Sequence, residues 1–125
     1  MKIKDLNIYD EYATVKDESV FEAVKLMKQK KVPDLVLLGE DGKPKGIISS
    51  EDIVFKIIAE EKDAKVVKIS EIARDVKTFT IEATKEEVFN YMMESDNEIV
   101  PIIKKDGKLL GVCTIADVAW EEEDK

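Results

Sequence analysis

The sequence predicts an α+β (α/β-like) fold made of two β-α-β-β-α repeats that pack with pseudo-twofold symmetry. The main observation is an internal duplication, in which 35 residue pairs from Ser19 onward align at a constant offset of 65 residues without a gap. Seven of these pairs are identical, whereas average composition would give about two by chance. Both copies also combine apolar runs of helical and of strand period, which indicates mixed helix and strand.

The elements of each copy follow one order. A short strand comes first, and we expect it near residues 13–15 and at residues 79–81. A helix follows, and its first residues show the capping-box pattern of a hydroxyl with a glutamate three positions later. These pairs are Ser19 with Glu22 and Thr84 with Glu87. Two strands joined by an Asp-Gly turn and a second helix complete a unit of about sixty residues.

One such unit has too little core to be stable alone, so we expect two units that pack sheet to sheet. The predicted division is repeat 1 at residues 1–63 and repeat 2 at residues 64–125. The segment between them is not rich in glycine or serine, which argues against a loose tether.

The bulk composition excludes several classes of function. The 125 residues include 28 acidic and 20 basic side chains, and this net charge of −8 disfavours a nucleic-acid binder. The chain has no histidine, which removes histidine-based catalysis and imidazole metal sites. The single cysteine, Cys113, lies in an apolar run and is expected to be a buried structural residue. We therefore expect a soluble, cytoplasmic protein that is not an enzyme and has no metal site.

The strongest candidate site occurs twice, at the start of the last helix of each copy. It consists of Ser49 with Asp52 and of Thr114 with Asp117. The free N–H groups of a helix N-terminus favour anions, and a carboxylate there can accept hydrogen bonds from two vicinal sugar hydroxyls. The alternative is that both pairs only cap their helices, as the other hydroxyl–carboxylate pairs do.

The full pattern resembles a known family. The order Gly-apolar-apolar-Ser/Thr-x-x-Asp, after an Asp-Gly turn and a helix that carries a methionine, resembles the cystathionine-β-synthase (CBS) domain. Two copies in tandem resemble a stand-alone CBS pair, or Bateman module, from about Ile3 to Trp120. The resemblance implies that Asp52 and Asp117 bind ribose and that Ser49 and Thr114 lie near a phosphate.

The resemblance also implies crossed sites, in which the adenine pocket for one repeat's aspartate comes from the other repeat. For Asp117 the implied residues are Tyr12, Ala13 and Val32, and for Asp52 they are Lys77, Thr78 and Asn97. The alternative for Tyr12 and Val32 is ordinary core packing. Because the first set is apolar and the second is polar, we expect adenine at the Asp117 site.

The chain departs from the family pattern in two ways. Val36 stands where CBS repeats often carry a proline, although Pro101 fits the second copy. The arginine and histidine residues with which the family binds phosphates are also missing, since Arg74 is the only arginine. We therefore expect a ligand of low charge, AMP or S-adenosylmethionine, in preference to ATP.

The expected function is that of a regulatory sensor, with an adenosyl compound (AMP, ADP, ATP or S-adenosylmethionine) in the clefts between repeats and no required cofactor. The helix that carries Phe55, Ile57 and Ile58 is apolar over more than one stripe, which indicates a partner surface. The resemblance implies a homodimer through such helices, and a protein effector is also expected. The alternatives are a structural dimerisation module with empty clefts and a nucleic-acid-associated regulator.

Overall fold

The computed structural model describes residues 1–6 and 13–119, which form two compact units. Residues 13–75 make up what we call the central unit, and residues 1–6 with 76–119 make up the terminal unit. The predicted α+β class with two repeats is confirmed, because a helix, a strand hairpin and a second helix follow one another in both copies. The predicted boundary between residues 63 and 64 marks the duplication, which is a different division from these units.

The central unit contains all five predicted elements. They are β1 (Thr14–Val15), α1 (Val20–Lys30), β2 (Asp34–Leu38), β3 (Pro44–Ser49) and α2 (Ser50–Ile53). β2 lies in the middle of a three-stranded sheet, parallel to β1 and antiparallel to β3. α2 continues as a π-helical segment, Val54–Ile58, in which the Val54 carbonyl accepts a hydrogen bond from the Ala59 N–H.

The terminal unit has a smaller sheet than the sequence predicted. Its elements are α3 (Lys85–Ser95), β4 (Ile99–Ile103), β5 (Leu109–Thr114) and α4 (Ile115–Ala119). The expected strand at residues 79–81 is wrong, since Phe79 forms a single bridge with Ile102 and the chain then turns. Among the described residues, this unit therefore has the two-stranded sheet of β4 and β5.

Pro101 explains part of this difference. In the central unit, the Val36 N–H donates a hydrogen bond of 3.2 Å to the Ala13 carbonyl and extends the pairing of β1 with β2. Pro101 occupies the equivalent position in β4 and has no N–H to donate. The sheet therefore loses the equivalent hydrogen bond, and beyond Phe79 the Ala83 N–H closes a turn on the Thr80 carbonyl.

A short 3₁₀ turn leads into each repeat and packs in the unit of the other repeat. The turn Ile3–Asp5 precedes repeat 1, yet its Ile3 N–H donates to the Ala83 carbonyl at 2.8 Å in the terminal unit. The turn Ile69–Glu71 precedes the second copy, yet its Ile69 N–H donates to the Glu18 carbonyl at 2.8 Å in the central unit. Both isoleucines are fully buried. Each unit therefore depends on residues from both repeats.

Each unit has its own apolar core. In the central unit, side chains of α1 and α2 pack with those of β2 and β3 and with Ile69. In the terminal unit, Ile3, Cys113 and Met92 belong to one cluster with residues of β4. Of the helices that the structure describes, each is too short or too polar to cross a membrane.

Gly46 in β3 permits a close approach between two parts of the central unit. A Cβ atom at this position would lie 2.7 Å from the Arg74 carbonyl oxygen. Next to it, the Ile47 N–H donates to that same carbonyl at 2.9 Å, and the Arg74 N–H donates to the Ile47 carbonyl at 2.8 Å. The glycine therefore allows the main chain at Arg74 to pair with β3.

We expect Gly46→Ala to lower the free energy of unfolding by about 1–3 kcal/mol, because the added methyl group meets backbone that cannot move aside cheaply. The matched control is Gly39→Ala, whose Cβ would meet the flexible end of the Lys45 side chain. Its effect should stay within about 0.5 kcal/mol. Urea unfolding followed by circular dichroism measures both, and equal effects would contradict the role given to Gly46.

Candidate functional site

Both predicted hydroxyl–carboxylate pairs form reciprocal caps at the end of a sheet strand. Ser49 donates to Asp52 Oδ2 from its N–H at 2.9 Å and from its hydroxyl at 3.0 Å, and the Asp52 N–H donates back to the Ser49 hydroxyl at 3.1 Å. Thr114 and Asp117 make the same three bonds, at 2.8, 3.0 and 3.4 Å. The capping function is therefore present in both copies. It uses one carboxylate oxygen, Oδ2, and does not by itself prevent ligand binding at the other.

The Asp52 carboxylate also contacts two cationic side chains. Arg74 donates from Nε to Asp52 Oδ2 at 3.1 Å, and the Lys56 ammonium lies 3.5 Å from Oδ1. The Asp52 side chain is only 10% exposed. Lys56 is itself held, since its ammonium donates to the Ile72 carbonyl at 3.0 Å. Both oxygens of Asp52 are therefore engaged within the central unit.

The pKa of Asp52 reflects these contacts. Burial is the largest influence and works to raise the pKa, but the hydrogen bonds from Ser49 and the charge of Arg74 together outweigh it. The net result is a pKa below the ordinary value of 3.8. Asp52 is therefore a carboxylate at neutral pH, and its charge is balanced by nearby cations.

Asp117 has a different environment. It is partly exposed, and within residues 1–6 and 13–119 no hydrogen bond or ion pair reaches its Oδ1 atom. The sequence explains the contrast, because Glu121 is the repeat equivalent of Lys56 and Ile8 aligns with Arg74 in the lead-in register. Asp117 therefore keeps an acceptor oxygen that the described residues do not use.

The residues predicted to form the adenine pocket with Asp117 lie in the central unit. Ala13 is buried directly before β1. Val32 is partly buried after α1 and borders an apolar groove of about 510 Å³, together with Met27, Pro33 and Ile53. Tyr12 lies outside the described residues. Core packing, the stated alternative for Val32, is part of its environment, since it packs against the central core.

The residues predicted to serve Asp52 lie in the terminal unit, and the structure brings two of them together. Tyr91 on α3 accepts a hydrogen bond on its hydroxyl from the Lys77 N–H at 2.8 Å and another from Asn97 Nδ2 at 3.1 Å. Asn97 is buried and Thr78 is partly exposed. The crossed sites would need residues of both units, and they stay a prediction.

Sequence reasoning missed three residues of this arrangement. Tyr91 was not singled out because it lies among the apolar positions of α3, although a buried tyrosine hydroxyl usually needs a polar partner. Lys56 lies four residues after Asp52, a spacing that brings side chains together on a helix and was available as a signal. Arg74 was noted only for its rarity, because no local spacing links it to Asp52.

The remaining polar chemistry is limited. Burial, followed by the charge of Asp117, raises the pKa of the Cys113 thiol to about 12, so this thiol is protonated at neutral pH. Over the described part of the chain, no three Cys, Asp or Glu side chains converge as metal ligands. The aspartates of both hairpin turns accept from the N–H two residues later, as expected of turn residues.

We expect Asp52→Asn to lower the free energy of unfolding by about 1–3 kcal/mol, because it removes a charged hydrogen bond to Arg74 at a buried position. The partly exposed Lys56 contributes less, since its contact is long and solvent-screened. In Asp117→Asn, the matched control, the amide can still cap its helix, and the loss should stay below about 1 kcal/mol. Equal losses in urea unfolding would contradict the assigned difference between the two sites.

The pKa of Asp52 sets a pH dependence. A carboxyl whose pKa is lower in the folded than in the unfolded state contributes stability that is full above the unfolded pKa and is lost as the pH falls through the folded pKa. The stability difference between wild type and Asp52→Asn should therefore be constant near neutral pH and should shrink below about pH 4. Unfolding measured from pH 7 to pH 2 checks this, and a difference that is undiminished at pH 2 would contradict it.

Comparison with known proteins agrees with this geometry. The sequence profile of the CBS domain matches residues 3–59 and 69–122. The uncharacterized protein YlbB of Bacillus subtilis is 34% identical over 126 residues, which covers 98% of this chain and 82% of YlbB. Other curated relatives are longer, and the chain spans 54% and 52% of the length of two of them.

Solved structures show the same fold. The CBS domain pair of protein MJ0100, in complex with 5′-methylthioadenosine and S-adenosyl-L-methionine, superposes with a TM-score of 0.79 at 27% identity, over 95% of this chain and 93% of that one. The CBS domain protein PAE2072 from Pyrobaculum aerophilum, complexed with AMP, gives a TM-score of 0.85 at 20% identity, over 97% and 92% of the two chains. The profile matches and the fold together show that this chain belongs to the CBS domain family, with two CBS repeats.

Proposed function

We propose that the chain is a regulatory module that binds an adenosyl compound and signals by a conformational change, with Asp117 as the ribose-binding residue. The observation that carries this proposal is the Oδ1 atom of Asp117, which the described residues leave unused. The reciprocal cap with Thr114 fixes the carboxylate through Oδ2. Oδ1 is therefore held in a defined position, and the described residues leave its acceptor capacity available to a ligand.

The chemistry of a ribose diol fits such a group. A carboxylate oxygen accepts charge-assisted hydrogen bonds from hydroxyl groups, and these are about twice as strong as neutral ones. Partial burial strengthens them further, because fewer water molecules compete. The helix N-terminus beside Thr114 offers N–H groups to the negative end of a nucleotide.

Two observations favour a particular class of ligand. The CBS pair of MJ0100 holds two adenosyl compounds at 27% identity to this chain, which favours an adenosyl ligand here. The net charge of −8, with a single arginine, disfavours a ligand with several phosphates. We therefore propose AMP or S-adenosylmethionine in preference to ATP, with Tyr12, Ala13 and Val32 as the adenine-facing residues.

The side chains that are present support the proposal of a sensing function in preference to catalysis. The chain has no histidine, and its one thiol is buried with a pKa of about 12. Signalling then requires that the ligand bind one arrangement of the protein more tightly than another, since only differential affinity shifts an equilibrium. We propose that a protein effector in the cytoplasm responds to that shift.

We also propose a homodimer through the second helix of the central unit. Phe55 and Ile58 are 61% and 65% exposed, and Val54 beside them is also exposed. Apolar side chains that are contiguous on a helix surface often mark a contact with another protein. The same surface favours the alternative function, a structural dimerisation module with unoccupied clefts, which would dimerise without responding to a ligand.

The first experiment is calorimetric titration of AMP into the wild type and into Asp117→Asn. We expect saturable heat from the wild type and at least a tenfold loss of affinity in the variant, because the amide keeps the cap but loses the charged acceptor. Glu87→Gln is the matched control, since Glu87 caps α3 through the same bonds to Thr84 but lies at no proposed site.

Unchanged binding in Asp117→Asn would contradict the assignment of Asp117. If AMP gives no heat with the wild type, S-adenosylmethionine is titrated next. No binding of either compound to a folded dimer would favour the structural module over the sensor.

A further inference from the structure

We propose that Arg74 and Lys56 close the Asp52 site against a ligand, so that the chain takes one adenosyl ligand, at Asp117, and not two. This inference rests on the proposed function, because it assigns different states to the two aspartates of that function. The observation behind it is the difference in their partners. Both oxygens of Asp52 are engaged by cations or by the cap, whereas Asp117 uses only Oδ2 among the described residues.

A diol and the two cations would compete for the same acceptor atoms. Asp52 Oδ2 already accepts three hydrogen bonds, two from Ser49 and one from Arg74 Nε. Oδ1 lies 3.5 Å from the Lys56 ammonium. A ribose at this carboxylate would have to share Oδ1 with Lys56 or displace a cation, and a displaced cation would lose its contact with a carboxylate that is only 10% exposed.

Main-chain hydrogen bonds place Arg74 at this position. Its N–H and C=O both pair with Ile47 of β3, the strand that ends at Ser49. This pairing is possible because Gly46 has no side chain to meet the Arg74 carbonyl. Arg74 is therefore held at the edge of the sheet by main-chain pairing. Its side chain contacts Asp52, which lies 22 residues earlier in the sequence.

Two contacts hold the Lys56 ammonium group. Its ammonium donates to the Ile72 carbonyl at 3.0 Å while it faces Asp52, so the same segment that carries Arg74 also holds Lys56. The repeat offers no equivalent pair to Asp117, since Glu121 and Ile8 stand at the aligned positions. Divergence at two positions is therefore enough to give the two aspartates different states.

The closed state weakens binding and does not abolish it. Apparent affinity falls by the fraction of molecules in which the site is open, so a site that is closed in about 99% of molecules binds about a hundredfold more weakly. Removal of both cations should raise the affinity of the Asp52 site by about the same hundredfold factor. A phosphate-free probe is needed, because Arg74 would otherwise be a candidate partner for a phosphate group.

The test is the stoichiometry of 5′-methylthioadenosine binding, measured by equilibrium dialysis with AMP in parallel. We expect one site per chain in the wild type and two in the double variant Lys56→Gln/Arg74→Gln. A triple variant that adds Asp52→Asn should return to one site. Arg74→Lys keeps a cation and should stay at one site, and Lys104→Gln controls for the loss of an exposed positive charge.

The outcomes separate this inference from the proposed function. One site in both the wild type and the double variant would overturn the closure, as would a wild type that already binds two. If the wild type binds nothing, the Asp117 assignment fails, yet a site that appears in the double variant and disappears in the triple variant would still support closure at Asp52. No binding in any variant would overturn both.

A second measurement needs no ligand and guards against a variant that folds poorly. The Asp52 carboxyl can be titrated by carbon-detected NMR in the wild type and in the single variant Arg74→Gln. Loss of the Arg74 charge and hydrogen bond should raise the pKa of Asp52. An unchanged pKa in a folded variant would show that Arg74 does not hold this carboxylate in solution and would overturn the inference.

Discussion

The reciprocal hydrogen bonds between a hydroxyl and a carboxylate, at the junction of the last strand and last helix of each repeat, are the constraint on which the site depends. They satisfy free N–H groups at the helix start and fix the carboxylate through one oxygen. A side chain that is held this way has little rotamer entropy left to lose when a ligand binds. Structural capping and ligand binding are therefore compatible uses of the same aspartate.

What differs between the copies is the set of cations that contact the carboxylate among the described residues. In the central unit an arginine from the following segment and a lysine one helical turn away neutralise Asp52, and the shorter contact with Arg74 is the stronger of the two. In the terminal unit the aligned positions carry Glu121 and Ile8, which cannot neutralise Asp117. Among the described residues, two copies of one motif thus differ in the cations that contact the carboxylate.

The sequence was sufficient for the parts of the structure that depend on local pattern. The duplication follows from comparing the two copies, and the caps at Ser19 and Thr84 and the Asp-Gly turns follow from residues within a few positions of one another. The prediction of a strand at residues 79–81 was wrong because a strand needs a partner strand to pair with. In that partner, Pro101 lacks the N–H donor that Val36 supplies in the other copy. The Arg74 contact with Asp52, 22 residues apart in sequence, was not predictable for the same reason, since it is fixed by the pairing of Arg74 with Ile47.

Under the proposed closure of the Asp52 site, a duplicated module responds to one bound ligand. Two open sites of similar affinity would fill together, and their effects on one conformational equilibrium would combine. With Asp52 held by its own cations, that carboxylate contributes to folding stability at neutral pH, while Asp117 is the residue that we propose for binding. Under the proposed assignment, the duplication supplies one structural aspartate and one ligand-binding aspartate from the same motif, and the change requires only the cations that surround them.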